Sequence, residues 1–147
     1  MKKKYLALLD KELTLLENAT KIFNKSFKVC RQIGIKKNYS FDELDHFEAL
    51  TSRFARLSDI LIQKVLRLID EMDLESPGTV RDRINRAEKK ETISSAETFT
   101  KIRLLRNSIS HEYLPETILD IFQNVLQLAP DLLDSVSRIQ EYCQRYR

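Results

Sequence analysis

The stretch "SFDELDHFEALTSRFARLSDILIQKVLRLIDEM", residues 40–72, carries the strongest indication of the fold. Its apolar residues recur mainly at three- and four-residue steps, as one buried face of an α-helix requires. They are Phe41, Leu44, Phe47, Leu50, Phe54, Leu57, Leu61, Val65 and Leu68. Ser40 and Glu43 have the spacing of a capping box, which predicts that the helix begins there. A proline–glycine pair in "ESPGT" predicts its end near Met72.

The same spacing continues on both sides of this helix. Further helices are expected over about residues 3–33, about 79–90, from Ser94 into residues 110–113, and about 116–146. Gly34 suits the left-handed conformation that stops a helix, and Ser94 with Glu97 forms a second capping-box pattern. Pro115 disfavours helical geometry in the residue before it and suits the first turn of the next helix. The sequence predicts an all-α, up-and-down bundle of four long helices and one short helix, in a single domain over residues 1–147.

The composition narrows the class of protein. Two glycines and three prolines among 147 residues provide too few turns for an all-β fold, and no glycine pattern of a nucleotide site occurs, so no cofactor is expected. No stretch approaches the roughly 20 apolar residues of a membrane span. The apolar run after the first lysines is shorter than the roughly 7–15 residues of a secretory signal. Cys30 and Cys143 are isolated and are expected to be reduced thiols. Reduced thiols, together with the lack of a membrane span and of a secretory signal, indicate a cytoplasmic protein.

Residues 81–113 contain eight basic and five acidic side chains, an excess equal to the net charge of +3 of the whole sequence. A local basic surface attracts phosphate backbones, although a solvated face with lysines and arginines for solubility explains the same charges. Asp42 and His46 lie one helical turn apart, as two metal ligands can. An acidic helix start with an exposed histidine accounts for that pair, so no metal site is predicted.

"RNSISHEY", residues 106–113, combines groups that suit phosphate chemistry. RNA is cleaved when its own 2′-hydroxyl attacks the adjacent phosphate, which requires proton transfer near neutral pH and a positive charge for the developing phosphorane. His111 can move protons, because the ordinary pKa of histidine is about 6.5. Arg106 stays charged and can bind two phosphate oxygens. Asn107 can orient either the histidine or the phosphate.

The pattern R-x4-H-x-Y formed by Arg106, His111 and Tyr113 resembles the HEPN superfamily, and within it the HepT-like toxins that are paired with MNT nucleotidyltransferase antitoxins. The resemblance implies a helical bundle that forms a homodimer and acts as a metal-independent endoribonuclease, the toxin of a type II toxin–antitoxin system. It implies Arg106, Asn107 and His111 as catalytic residues and Tyr113 as the residue to which the antitoxin attaches AMP. Lys101 and Arg103, in the basic segment, are expected to bind RNA.

Other interpretations of this segment remain open. A HEPN protein that has lost catalysis would act as a binding module for a nucleotidyltransferase or RNA. A scaffold with an accidental motif would use the same residues as the polar end of a helix, where arginine and histidine complement the helix dipole. Helical geometry adds a constraint, because Arg106 and His111 lie about 140° apart on an ideal helix. Either the helix ends before His111, or two motifs meet across a dimer interface.

Overall fold

The computed structural model describes residues 2–110 and 115–147, except for the side chains of Pro115 and Glu116. Within these residues the chain is helical and contains no strand. The elements are α1 (Lys2–Ile33), α2 (Phe41–Asp59), a π-helical segment (Ile60–Val65), α3 (Leu66–Met72), α4 (Val80–Lys89), α5 (Ala96–Ile109), α6 (Pro115–Cys143) and a 3₁₀ turn (Gln144–Tyr146). Because α2, the π-helical segment and α3 follow one another without a break, they form one rod over residues 41–72. The predicted all-α class is confirmed, with α4 as the short helix.

The first two long helices of the bundle run antiparallel. The Cys30 thiol near the end of α1 donates to the carbonyl oxygen of His46 near the start of α2 (3.3 Å). One helical turn earlier in α1, Ser26 accepts from the Arg53 guanidinium, which lies further along α2. In these two contacts the residue number falls from 30 to 26 along α1 while it rises from 46 to 53 along α2, so the two helices form an antiparallel hairpin.

The other two long helices complete an up-and-down arrangement. Phe122 in α6 stacks on Phe47 in α2 (ring centroids 4.8 Å apart), and Tyr142 near the end of α6 donates to Asp73 at the end of α3 (2.5 Å). Helix α6 therefore runs parallel to the rod. Helix α5 packs on α6 and is joined to it by only residues 110–114, so the chain reverses direction between them.

Two of the predicted helix signals are confirmed. Gly34 has a φ of +75°, and its N–H donates to the Cys30 carbonyl oxygen (2.9 Å), so it closes α1 in the left-handed conformation that glycine adopts most readily. Ser40 caps α2, and the Glu43 carboxylate accepts from the Ser40 N–H (2.9 Å) in a complete capping box.

The predicted capping box at Ser94 is wrong, because Ser95 is the residue that caps α5. After α4 the chain turns through Glu91, which has a φ of +61°, and buries Ile93 in the core. This turn places Ser95 in the extended conformation that a cap needs, and its hydroxyl accepts from the Thr98 N–H (3.2 Å). The tertiary burial of the loop therefore moves the cap by one residue.

The core runs through every long helix and is built around five fully buried phenylalanines, Phe23, Phe47, Phe54, Phe99 and Phe122. Cys30 and Cys143 are free and buried, as expected, and burial raises the pKa of each thiol to about 11. At such a pKa both remain protonated at neutral pH. Over the part of the chain that is described, no helix has the length and apolar character that a membrane span requires.

Candidate functional site

Helix α5 carries the first half of the RNSISHEY segment, and its buried face fixes the direction of the other side chains. Phe99, Ile102 and Leu105 are buried in the core. Residues at three- and four-residue spacing share a face of a helix, so Arg106 projects beside Phe99 and Ile102 rather than outward from the bundle. The sequence thus turns the arginine toward the neighbouring rod.

Arg106 forms a bidentate ion pair with Asp59, the last residue of α2. The Nε group donates to Oδ1 at 2.8 Å, and Nη2 donates to Oδ2 at 2.9 Å. The side chains of Arg106 and Asp59 are 28% and 45% exposed, so the pair lies at the edge of the bundle rather than in the core. The hydrogen bonds to Asp59 raise the pKa of Arg106 above its ordinary value, and the guanidinium stays charged at every working pH.

The remaining donors of Arg106 point away from Asp59. Nη1 donates to the Ser110 hydroxyl at 2.6 Å. A guanidinium has five N–H groups, so one on Nη1 and one on Nη2 have no partner among the described residues. These two groups can still bind an anion while Asp59 holds the rest of the side chain. Ser110 is the residue directly before His111 in the chain.

Asp59 immediately precedes the π-helical segment. Leu61, Ile62 and Val65 of this segment are buried in the core. Its hydrogen bond from the Leu66 N–H to the Leu61 carbonyl oxygen spans five residues, as the wider π-helical turn requires. Arg83 donates to the carbonyl oxygen of Ile62 (3.1 Å) and so satisfies a backbone group of this segment.

A groove of about 350 Å³ adjoins the ion pair. Arg106, Ile109 and Ser110 line it from α5. The α2 side is polar in part, with Glu48, Thr51, Ser52 and Ala55, and the α6 side is apolar, with Ile118, Ile121 and Phe122. The groove is open to solvent next to the point where the chain continues from Ser110 to His111, which makes it the candidate site.

The other predicted site residues are distributed around α5. Asn107 is exposed and forms no side-chain hydrogen bond within the described part of the chain. Arg103 is half-buried, and Lys101 is exposed, 3.9 Å from Glu97. Lys101 lines a different groove, between α5 and α6, so the structure does not bring it together with Arg106. His111 and Tyr113 lie outside the described residues.

The Asp42–His46 pair is an exposed contact on α2. The imidazole Nε2 lies 3.6 Å from the Asp42 carboxylate, and the two side chains are 46% and 87% exposed. Within residues 2–110 and 117–147, no group of three histidine, cysteine or acidic side chains is placed to hold a metal ion.

Asp59 is the site residue that the sequence did not reveal. It lies 47 residues before Arg106 and stands in an apolar run, "LSDILI", without any motif around it. A single acidic residue in a buried stretch was the available signal, because a charge in such a position is usually paired.

No protein-family model, curated protein or solved structure matches this chain.

Proposed function

We propose that this chain is a metal-independent endoribonuclease of the HepT type, the toxin of a type II toxin–antitoxin system. In this proposal it acts as a homodimer, cleaves RNA with Arg106, His111 and Asn107, and is neutralised by an MNT-type nucleotidyltransferase. The observation that supports it best is the Arg106 guanidinium, which Asp59 fixes at the rim of an open groove with two N–H groups left over.

The chemistry requires an arginine that is held in place before RNA binds. The 2′-hydroxyl loses its proton as it attacks the phosphorus, and the 5′-oxygen of the next nucleotide gains a proton as it leaves. The products are a 2′,3′-cyclic phosphate and a 5′-hydroxyl end. His111 moves these protons, and the fixed charge of Arg106 stabilises the phosphorane, an arrangement that needs no reorganisation during the reaction.

Cleavage of a labelled RNA by the purified protein tests the proposal directly. His111→Ala should lose roughly 10²- to 10⁴-fold in rate, the usual contribution of general acid–base catalysis. Arg106→Ala should lose a comparable factor, and EDTA should have no effect on the wild type. His46→Ala is the matched control, since His46 is the only other histidine in the sequence, and it should cleave normally.

Three results would contradict the mechanism. The first is full cleavage by a folded His111→Ala variant, and the second is loss of wild-type cleavage in EDTA. Products that end in a 3′-phosphate monoester from the first turnover, without a cyclic precursor, would exclude attack by the 2′-hydroxyl.

A second candidate function is a non-catalytic HEPN module that binds a nucleotidyltransferase or RNA. The same ion pair favours it, because Asp59 neutralises the charge of Arg106 in the structure. Wild-type protein that binds RNA in a gel-shift assay but leaves it intact over hours, with His111→Ala binding equally well, would support this function against the first.

A further inference from the structure

Helix α1 exposes a line of apolar side chains along its whole length. Leu8, Leu15 and Ile22 are 39%, 38% and 47% exposed, and Val29 is half-buried. These four residues, called the α1 stripe below, follow one another at seven-residue steps. Single exposed leucines are common on protein surfaces, but a seven-residue repeat is the pattern by which helices pair side by side. From Leu8 to Val29 the stripe extends about 30 Å.

Basic side chains border the outer side of the α1 stripe. Lys11 and Lys25 each lie three residues after a stripe residue and are therefore its neighbours on the helix surface. Both are exposed, and neither forms an ion pair with another described residue. Helix α1 as a whole has eight basic and three acidic residues, a larger local excess than that of residues 81–113.

The opposite side of the α1 stripe, toward α2, carries charges of both signs. Arg53 reaches from α2 to the Ser26 hydroxyl of α1. Glu12, four residues after Leu8, lies on this side as well, and the nearby Lys64 partly offsets the rise that burial causes in the pKa of its carboxyl. Positive charge therefore borders the outer edge of the stripe and, at Arg53, the edge toward α2.

We propose that the α1 stripe is a docking surface for an acidic amphipathic helix of another protein. Apolar residues at the a and d positions of such a helix would cover the stripe, and glutamates on either side would meet Lys11, Lys25 and Arg53. Seven-residue spacing on a straight helix drifts by about 20° per repeat, so the partner would wrap around α1 with a left-handed twist.

A second copy of the same helix fits this surface poorly. Lys11 and Lys25 each lie seven residues from residue 18. An antiparallel pair of α1 helices that cross at residue 18 would therefore place Lys11 of one copy against Lys25 of the other. A parallel pair would place each lysine against itself. Like charges across a helix interface are destabilising, whereas opposite charges set the choice of partner. The charge pattern therefore selects an acidic partner, and it does so independently of any ribonuclease activity.

Fluorescence anisotropy with a defined probe tests the docking surface. The probe is a labelled 21-residue helical peptide with leucine at a and d positions and glutamate at e and g positions, and its counterpart has lysine in place of each glutamate. The full chain should bind the acidic peptide at least about tenfold more tightly than the basic one, with an affinity that weakens as salt is added.

Two double variants separate the apolar contribution to peptide affinity from the charged contribution. Leu15→Ser with Ile22→Ser should reduce the affinity for the acidic peptide at least about tenfold. Lys11→Glu with Lys25→Glu alters only exposed residues and should reverse the preference toward the basic peptide. Lys37→Glu with Lys89→Glu, on exposed residues elsewhere, makes the same change in net charge and should leave the preference for the acidic peptide intact.

Several outcomes would overturn the proposal. Equal binding of both peptides, or a preference that follows net charge in the control variant as well, would show nonspecific attraction. A dimeric wild type that becomes monomeric in Leu15→Ser with Ile22→Ser would assign the stripe to a second copy. Sedimentation with phosphatidylserine vesicles that is lost in the same variant would assign it to a membrane surface.

Discussion

At the scale of single residues, the contact between Arg106 and Asp59 determines what the candidate site can do. A lysine in place of Arg106 has only three N–H groups on a single atom, so it could not hold Asp59 through two parallel hydrogen bonds, donate to Ser110 and still keep donors for an anion. The arginine is therefore held rigidly while part of it stays free. A rigid cation near an open groove serves catalysis better than a mobile one, since less entropy is lost when the phosphate binds.

Asp59→Asn tests whether Asp59 positions the Arg106 guanidinium or only neutralises its charge. The amide retains the size of the carboxylate but cannot accept from both Nε and Nη2, so Arg106 loses its fixed orientation. We expect RNA cleavage to fall about tenfold and stability to fall by about 1 kcal/mol, less than a buried charge-assisted hydrogen bond contributes, because the pair is partly exposed. Cleavage assays and urea unfolding measure the two effects.

Asp134→Asn is the matched control for this variant. Asp134 pairs with Arg138 one helical turn away, at 2.7 Å, with both side chains at least 40% exposed. An exposed pair of this kind contributes about 0.3–0.5 kcal/mol, so neither cleavage nor stability should change appreciably. Cleavage that increases in Asp59→Asn would show that the ion pair blocks the site rather than preparing it.

Tyr113 is the residue that we expect the antitoxin to modify. Along the chain Tyr113 comes three residues after Ser110, whose hydroxyl accepts from Arg106. An AMP group on its hydroxyl would bring a negative phosphate that can pair with the basic side chains of α5 and repel RNA. Intact mass after co-expression with the partner nucleotidyltransferase should show AMP addition, which Tyr113→Phe abolishes. The Phe variant should cleave RNA and escape neutralisation. A label on any other residue would refute this role.

At the scale of helices and their connections, the sequence predicted what local patterns encode. Apolar spacing, the stop at Gly34 and the cap at Ser40 each depend on residues three or four positions apart, and all three are confirmed. The π-helical segment was not predicted, because a four-residue apolar step is compatible with both helix types until the core decides between them. The Arg106–Asp59 pair depends on how α2 and α5 are packed, which no local pattern encodes.

A polar cluster fastens the end of α6 to the end of α3. Tyr142 and Tyr146 donate to the two carboxylate oxygens of Asp73, at 2.5 and 2.6 Å. Lys90 lies 3.0 Å from Asp73 and also 3.0 Å from Asp70, with its side chain only 14% exposed. The cluster joins α6 to the end of α3 and to the residue after α4, so it is expected to support the closed bundle.

The pH dependence of stability should reveal this cluster. Burial tends to raise the pKa of Asp73, but the hydrogen bonds from Tyr142, Tyr146 and Lys90 outweigh it and lower that pKa below its ordinary value of 3.8. The unfolded state therefore binds the proton first, so the stabilisation is complete above about pH 5 and is lost as the pH falls through the folded pKa. Asp73→Asn should lose about 1–3 kcal/mol at pH 7.

Urea midpoints between pH 7 and pH 2.5 provide the measurement. The difference between wild type and Asp73→Asn should shrink steadily below pH 4, because protonation removes the same charge that the substitution removes. Asp42→Asn, at a side chain that is 87% exposed, should follow the wild-type curve throughout. A difference between wild type and Asp73→Asn that stays constant down to pH 2.5 would show that the Asp73 charge does not stabilise the fold.

At the scale of the whole molecule, we propose the groove between α5 and α6 as the interface of the expected homodimer. It measures about 680 Å³, and Leu104, 59% exposed, stands on its α5 side. Lys101 and Asp131 also line it. A two-fold axis over this groove would bring Lys101 of one copy to Asp131 of the other, so the surface is self-complementary in charge. Asn107 lies three residues after Leu104 and shares its side of α5, so this interface would bring the two Asn107 residues near each other, whereas Arg106 faces the rod.

Leu104→Glu should therefore convert a dimer into a monomer. The substitution places a charge in the centre of the proposed interface, where desolvation is most costly, while the exposed side chain leaves the bundle core unchanged. Light scattering at micromolar concentration should report half the wild-type mass, and RNA cleavage should fall with it if two motifs share the work. Leu74→Glu, at a residue that is 91% exposed at the end of α3, is the control and should remain dimeric.

Exchange of the charges at Lys101 and Asp131 in every copy should preserve the dimer, whereas Lys101→Asp alone should weaken it. A wild-type monomer with full ribonuclease activity would refute the shared site, because one chain would then supply every group that the reaction needs.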